Sequence, residues 1–344
     1  MKRLLWKLLT IFGGTLAVLI LTVIIFYFWA SSGSYPQNKY DEIVKYNTSK
    51  TPTSQLNNNK DTKDVFTVVT YNIGYLSGLT NNLAVETNQK LFDDNLKNAI
   101  AALKPLNADF IGLQEIDLAS KRSFKVNQVE KVAQGLSFPE AAIGVNWDKN
   151  YVAFPYFPIS AHFGRIVSSQ AILSRYPIES HQRIVLEKVA DNPFYYNAFY
   201  IDRVAQVSKI KVQNRTLVLI NVHLEAFNKN TRLEQTKFIE NLLEKYINDF
   251  PILLVGDFNS TPANNQETEP TINLLLNNPN LKSATPQSSF NDPKVLTFPA
   301  DKPEAKLDYI FYTPKNIEVL EWQVVSEAKQ ASDHLPVMMK FRFK

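Results

Sequence analysis

The sequence predicts a layered α/β or α+β domain behind a single membrane-crossing helix. Two patterns carry that prediction. Leu8 to Ala30 is a run of 23 residues without a charge. From Val65 onward, β-branched and aromatic runs alternate with segments of helical spacing. The first pattern suits a bilayer and the second a packed core of layered elements.

The first element in the chain is the apolar span. As a helix rising ~1.5 Å per residue it reaches ~34 Å, enough for a ~30 Å hydrocarbon layer. A signal peptide cleaved near Ala30-Ser31-Ser32 is the alternative, but its apolar region is usually only ~7–15 residues long. Residues 1–30 are therefore expected to stay as an anchor. Lys2, Arg3 and Lys7 all precede the span, so the N-terminus should be cytoplasmic and the rest extracytoplasmic. The protein is then a single-pass membrane protein, or a secreted one if the segment is cleaved. Tyr27 and Trp29 would sit at the outer interface. Residues 31–64, rich in Ser, Asn, Thr and Lys, read as a flexible linker.

Residues 65–344 are the expected catalytic domain. Val65–Tyr71 is strand-like. Gln89–Leu103 has helical spacing through Leu91, Phe92, Leu96, Ile100 and Leu103. Asp109–Leu113 is a short apolar strand and Val126–Leu136 a helix. Ala171–Ser174, Ile184–Leu186, Ala205–Val212 and Leu217–Val222 read as strands. Thr231–Tyr246 is an amphipathic helix, and Ile252–Val255 a fully buried strand. Leu307–Tyr312, Ile317–Val325 and Val337–Phe343 close the chain as strands. Residues 260–270 and 284–306 are long loops, a length often tied to function. Aromatics gather at Tyr151–Phe163 and Phe194–Tyr200. Edge packing accounts for most of them, and a rim touching lipid is the other reading.

Composition narrows the function. With 45% hydrophobic and 20% charged residues among 344, the chain is globular, not disordered or collagen-like. It has no cysteine, which excludes disulfides, thiolate metal sites and a cysteine nucleophile. Residues 65–344 hold 29 basic and 29 acidic residues, so the +4 of the whole chain belongs to its N-terminal part. That balance gives no support to a nucleic-acid face.

Polar residues recur at the ends of apolar strands. Asn72, Glu115, Asn221 with His223, Asp257 with Asn259, Asp308, and Asp333 with His334 all occupy such positions. A turn or cap explains any one of them. It does not explain six ends that together supply three Asp, one Glu, three Asn and two His. Hard oxygen donors suit Mg²⁺, Mn²⁺ or Ca²⁺, and zinc fits poorly without cysteine and with only four His. His162 and His181 lack a matching carboxylate context and read as structural. Arg122 reads as a solvated charge at a helix start. Arg165, Arg203 and Arg232 are within reach of a phosphate, with surface ion pairs the favoured role for each.

Tyr71-Asn72-Ile73, Leu113-Gln114-Glu115, Asn221-Val222-His223-Leu224, Gly256-Asp257-Phe258-Asn259, Leu307-Asp308-Tyr309-Ile310 and Ser332-Asp333-His334-Leu335-Pro336 resemble, in order, the endonuclease/exonuclease/phosphatase (DNase I-like) superfamily. Gln170–Ile178 is similar to a further segment of it. The resemblance implies a four-layer α/β sandwich, two packed mixed β-sheets with helices outside. It implies a divalent metal, Mg²⁺ or else Mn²⁺ or Ca²⁺, and hydrolysis of phosphoesters. It makes Glu115 the principal metal ligand, with Asn72 beside it and Asp333 as a further carboxylate. Asp257 and Asn259 would position water and phosphate, and Asp308 would orient a catalytic His334. His223 would be the additional catalytic and phosphate-binding histidine, with Asn221 beside the phosphate.

Three functions follow from these expectations. The favoured one is an anchored phosphodiesterase acting as a monomer on a lipid headgroup or similar extracytoplasmic phosphoester. A DNase I-like nuclease comes second. A non-catalytic binding domain comes third, and the presence of every motif residue counts against it.

Overall fold

The computed structural model describes residues 2–46, 63–262 and 269–344. The apolar run is one helix, α1 (Lys2–Ser31), with its large side chains exposed and only Ala30 buried. It is long and apolar enough to cross a membrane, as a signal sequence also is.

The rest alternates strands and helices. In order these are β1 (Asp41–Lys45), β2 (Phe66–Asn72), α2 (Gln89–Leu103), β3 (Phe110–Asp117), α3 (Gln128–Leu136), β4 (Glu140–Val152), β5 (Gly164–Ser174) and β6 (Ile178–Val185). Then come α4 (Phe194–Asn197), β7 (Val204–Val212), β8 (Arg215–His223), α5 (Lys229–Glu244), β9 (Ile252–Asp257), α6 (Asn273–Leu276), β10 (Lys282–Ser283), β11 (Asp308–Tyr312), β12 (Ile317–Val324) and β13 (Val337–Phe343). Asn88, Asn127 and Asn228 cap the three longer helices of the domain, each accepting a backbone N–H from three residues on.

Two mixed sheets result. One runs β1-β4-β5-β3-β2-β13-β12, the other β10-β11-β9-β8-β7-β6. Between them lies an apolar layer built from Phe66, Val68, Phe110 and Ile172 of the first sheet and Leu217, Leu219, Leu253 and Ile310 of the second. Helices α2 and α3 cover the outer face of the first sheet, with Phe92, Leu103, Val129 and Val132 buried there. On the outer face of the second sheet, α5 and α6 bury Ile239, Leu242 and Leu275. The four-layer sandwich is therefore the observed fold. Strands with both faces covered read as continuous apolar runs, which is why Ile252–Val255 shows no alternation.

Two features depart from the expectations. The linker expected over 31–64 is ordered through Tyr46, and residues 47–62 lie outside the described residues. Asp148 accepts from the backbone N–H of Ser34 and Tyr35 and from the Tyr40 hydroxyl, and β1 then pairs antiparallel with β4. Ile43 and Val44 suffice for a strand because the exposed edge of β4 supplies the hydrogen-bonding partner. The second departure is β4 itself, the longest strand, which the sequence pattern does not reveal. Its first seven residues are all buried, so polar Asn146 sits inside and hides the period of two. Of the two long loops, residues 263–268 lie outside the described residues.

Candidate active site

Parallel pairing aligns the strand ends. Asn72 of β2 pairs with Gln114 of β3, and His223 of β8 pairs with Asp257 of β9. Asp308 of β11 pairs with Asp257 from the other side. The two sheets meet at this edge, where the Asn72 amide donates to Asp257 Oδ2 at 2.9 Å. It also lies 3.4 Å from His334 Nε2.

Glu115 reaches the same place through a local irregularity. The β3–β5 register shifts between Leu113 and Ile116, and Glu115 adopts φ 51° inside that bulge. Bulges re-aim side chains, and a non-glycine residue held at positive φ marks a site the surrounding structure over-determines. Asn259 has the same backbone, φ 50°, and donates its N–H to Asp257 Oδ1 at 2.9 Å. Gly74, at φ 52°, leaves the room that the site needs: a Cβ there would lie 2.7 Å from Asp333 Oδ1 and from Ser332 Oγ.

Three groups of side chains result. In the first, Asn81 donates to Glu115 Oε2 at 2.9 Å and reaches Asp333 Oδ2 at 3.2 Å. Burial, and then the charge of Asp333, raises the Glu115 carboxyl above its ordinary value. In the second, His334 Nδ1 lies 2.9 Å from Asp308 Oδ2, and the Phe298 ring packs on the imidazole at 4.8 Å. Burial alone pulls that imidazole down, but Asp308 and Asp257 outweigh it and hold the ring charged well above the usual histidine range. Burial pushes Asp257 up to about 7, with His334 opposing and Asp308 adding to the shift. In the third, His223 Nε2 stands 3.6 Å from Asp257 Oδ2 and 3.8 Å from Glu115 Oε1. Burial, then Arg203 and His334, hold this histidine well below its ordinary value. Two imidazoles in one site are thus driven to opposite charge states, an arrangement suited to acid and base work.

Glu115 and Asp333 are two acids sharing one amide, and a hard cation held between neighbouring carboxylates offsets their mutual repulsion. The donor set fits a divalent ion held there. Asp257, Asp308 and His334 offer a second, buried set of ligand atoms within 4.8 Å of one another, although the His334–Asp308 hydrogen bond already engages two of these groups.

Several expected residues are placed differently. Asn221 faces the layer between the sheets, two residues inside the strand end. Its amide donates to the Leu113 carbonyl and Gln206 Oε1, and its oxygen accepts from Gln114 at 2.6 Å, so both its polar atoms are engaged in tying the sheets together. Arg122 is paired with Asp117, its side chain only 8% exposed, and lies 3.4 Å over the Tyr75 ring. It is no solvated charge. Arg203 and Arg232 are buried, the first 3.5 Å from Glu225 and the second donating to the Glu225 and Ala226 carbonyls. Arg165 binds Asp148, away from these groups. His162 is hydrogen-bonded to the Tyr151 hydroxyl and His181 to the Ser208 hydroxyl. Asn81 is the site residue that sequence reasoning misses, because its loop of turn-forming residues has no period to read. Loop 284–306 supplies Phe298, and its Ala300 N–H donates to the Asp333 carbonyl at 2.7 Å.

A family model described as Endonuclease/Exonuclease/phosphatase family matches residues 69–334. No curated protein matches the sequence. Among solved structures, an endonuclease/exonuclease/phosphatase from Beutenbergia cavernae is 19% identical, covering 82% of this chain and 72% of its own, with a TM-score of 0.58. The human Nocturnin catalytic domain with bound sulfate is 16% identical over 90% of this chain and 100% of its own, TM-score 0.57. A Bacteroides thetaiotaomicron mannosyl-6-phosphatase is 17% identical over 81% of this chain and 100% of its own, TM-score 0.55. At such identities the likeness is one of fold.

Proposed function

The chain belongs to the endonuclease/exonuclease/phosphatase family, and from that premise we propose that it is a membrane-anchored phosphodiesterase acting on a lipid headgroup or a similar extracytoplasmic phosphoester. The family is generally hydrolytic and acts on phosphoester bonds. The observation that carries the catalytic part is the joining of both sheets at Asn72–Asp257, with the Glu115–Asp333 acids on one side and His334–Asp308 on the other.

Glu115, Asp333 and Asn72 would hold the divalent cation, Mg²⁺ or Mn²⁺ by preference and Ca²⁺ otherwise. When bound, such a cation stabilises the charge that develops on phosphoryl oxygens. Asp257 and Asn259 position the attacking water and the phosphate. Asp308 fixes the tautomer and orientation of His334, which brings positive charge and a proton to the reacting phosphate. His223, kept neutral, stands next to Asp257 and is able to accept one. Asn221 has no part in these steps.

The lipid part of the reading is supported by α1 and by the zero net charge of residues 65–344. A neutral domain gains little from counterion release on DNA. The test is a substrate panel on the full chain in detergent and in phosphatidylcholine vesicles: bis-nitrophenyl phosphate, plasmid DNA, sphingomyelin and phosphoinositides, each with Mg²⁺ or with EDTA. At least one phospholipid diester should be cleaved with a higher kcat/KM than plasmid DNA at equal salt, and EDTA should abolish turnover. Efficient DNA cleavage without lipid turnover would replace this reading with the nuclease.

A further inference from the structure

The end of α1 is fastened to the catalytic domain. The Asn150 amide donates to the Trp29 carbonyl at 3.0 Å, and Lys149 Nζ donates to the Ser31 carbonyl at 2.9 Å. Phe26 meets the Tyr151 ring at 6.0 Å, and Tyr27 meets the Phe199 ring at 5.6 Å. Those two contacts lead into two segments, 151–161 and 192–201, that contain no charged residue and no histidine.

Both segments expose their aromatics. Phe157 and Phe194 are each 79% exposed, and Tyr156, Ile159 and Tyr195 are exposed as well. Such side chains are ordinarily turned inward. The backbone beneath them is held in place. His162 bridges the Tyr151 hydroxyl and the Tyr156 carbonyl, and the Trp147 indole donates to the Phe199 carbonyl at 2.8 Å. The exposed rings are thus presented by a braced platform at the foot of an apolar helix.

We propose that Tyr156, Phe157, Ile159, Phe194 and Tyr195 form a collar that seats in the interfacial layer of the bilayer that α1 enters. Tyrosine rings concentrate at that depth, where one end is apolar and the other wet, and phenylalanine and isoleucine beside them bury apolar surface there. Continuity with α1 selects a lipid surface over a protein partner. The two segments bring no charge of their own, so the seating of their rings does not depend on anionic lipid. The residue after Ile159 of the collar, Ser160, lines a cavity. That cavity, of about 240 Å³, is lined by Tyr75, Asn81 and Arg122 together with Ser160, His162 and Phe163. Asn81, which lines it, is the residue shared by Glu115 and Asp333.

The proposal rests on α1 entering a membrane and not on the hydrolytic reading. The natural chain has no cysteine, so one introduced cysteine carries one nitroxide. Phe157→Cys, Phe194→Cys and Leu320→Cys, the last on β12 at the far edge of the first sheet, are each placed in the full chain in phosphatidylcholine nanodiscs. Labels at 157 and 194 should be relaxed more by oxygen than by a water-soluble nickel chelate, and the label at 320 more by the chelate. Adding phosphatidylserine should change none of the three. Aqueous accessibility at 157 and 194 equal to that at 320 overturns the collar, as does lipid contact that appears only with phosphatidylserine. The measurement reads depth and not turnover, so it decides the collar even for a chain that cleaves no phospholipid.

Discussion

Asp308 and His334 are the two ends of one buried hydrogen bond, 2.9 Å long, and should act as a unit. Acid–base roles are typically worth ~10²–10⁴ in rate. His334→Ala should lower kcat on bis-nitrophenyl phosphate by at least that range, and Asp308→Asn by somewhat less. The double variant should be little worse than His334→Ala, because the second change removes an orientation already without purpose. Losses that multiply would break the pairing. Glu115→Gln keeps the shape that the bulge aims at Asn81 and removes the charge a cation needs. Its activity should fall by orders of magnitude and recover in part at high Mg²⁺, as a titration of rate against metal would show. Residues of this kind are legible in the sequence because each borders or ends an apolar strand, Asp308 opening β11 and Glu115 lying near the end of β3. The same rule misplaced Asn221, since a strand end defined by apolar neighbours is uncertain by two residues, enough to move a side chain from the cleft to the layer between the sheets. Asn81 was not legible at all. Nothing local distinguishes an amide that spans two distant acids from one that closes a turn.

The elements show a parallel division. Helix α2 and strand β13 lie where their spacing puts them, at Gln89–Leu103 and Val337–Phe343. Strand β1 was hidden because its partner, β4, follows far along the chain, and edge pairing of this kind leaves no local pattern. Strand β1 also reaches the other sheet. Asp41 lies 3.2 Å from His181 Nε2 on β6 and accepts from the Arg183 N–H at 3.0 Å. Burial holds His181 below the ordinary histidine value, with Asp41 pulling it back part of the way. The sign follows from proton counting. The unfolded chain takes up a proton near pH 6.5 that the folded chain resists, so this contribution to stability is complete above pH 6.5 and declines as the pH falls below it. The slope in that window is at most about 1.4 kcal/mol per pH unit. Thermal melts between pH 7.5 and 5.5 should show Tm falling less in His181→Gln than in the parent. Parallel slopes would remove His181 from the account.

At the scale of the whole molecule, α1 carries basic residues only before its apolar run, which predicts a cytoplasmic N-terminus. An epitope placed after Lys344 should be lost when protease is added outside intact cells or spheroplasts. Survival of the epitope until lysis would reverse the orientation. The pairing of β1 with β4 bears, in addition, on the order in which the protein is made. Lys45 faces Glu140 in that pairing, and so leaves the ribosome 95 residues ahead of its partner. At ~5–20 residues per second the interval is about 5–20 s. Through that interval β1 waits without the edge it will complete, while α1, ahead of it in the chain, is already made. The first strand synthesised is therefore paired only after β2 and β3 have been made, so this edge of the first sheet closes well after its outermost strand appears.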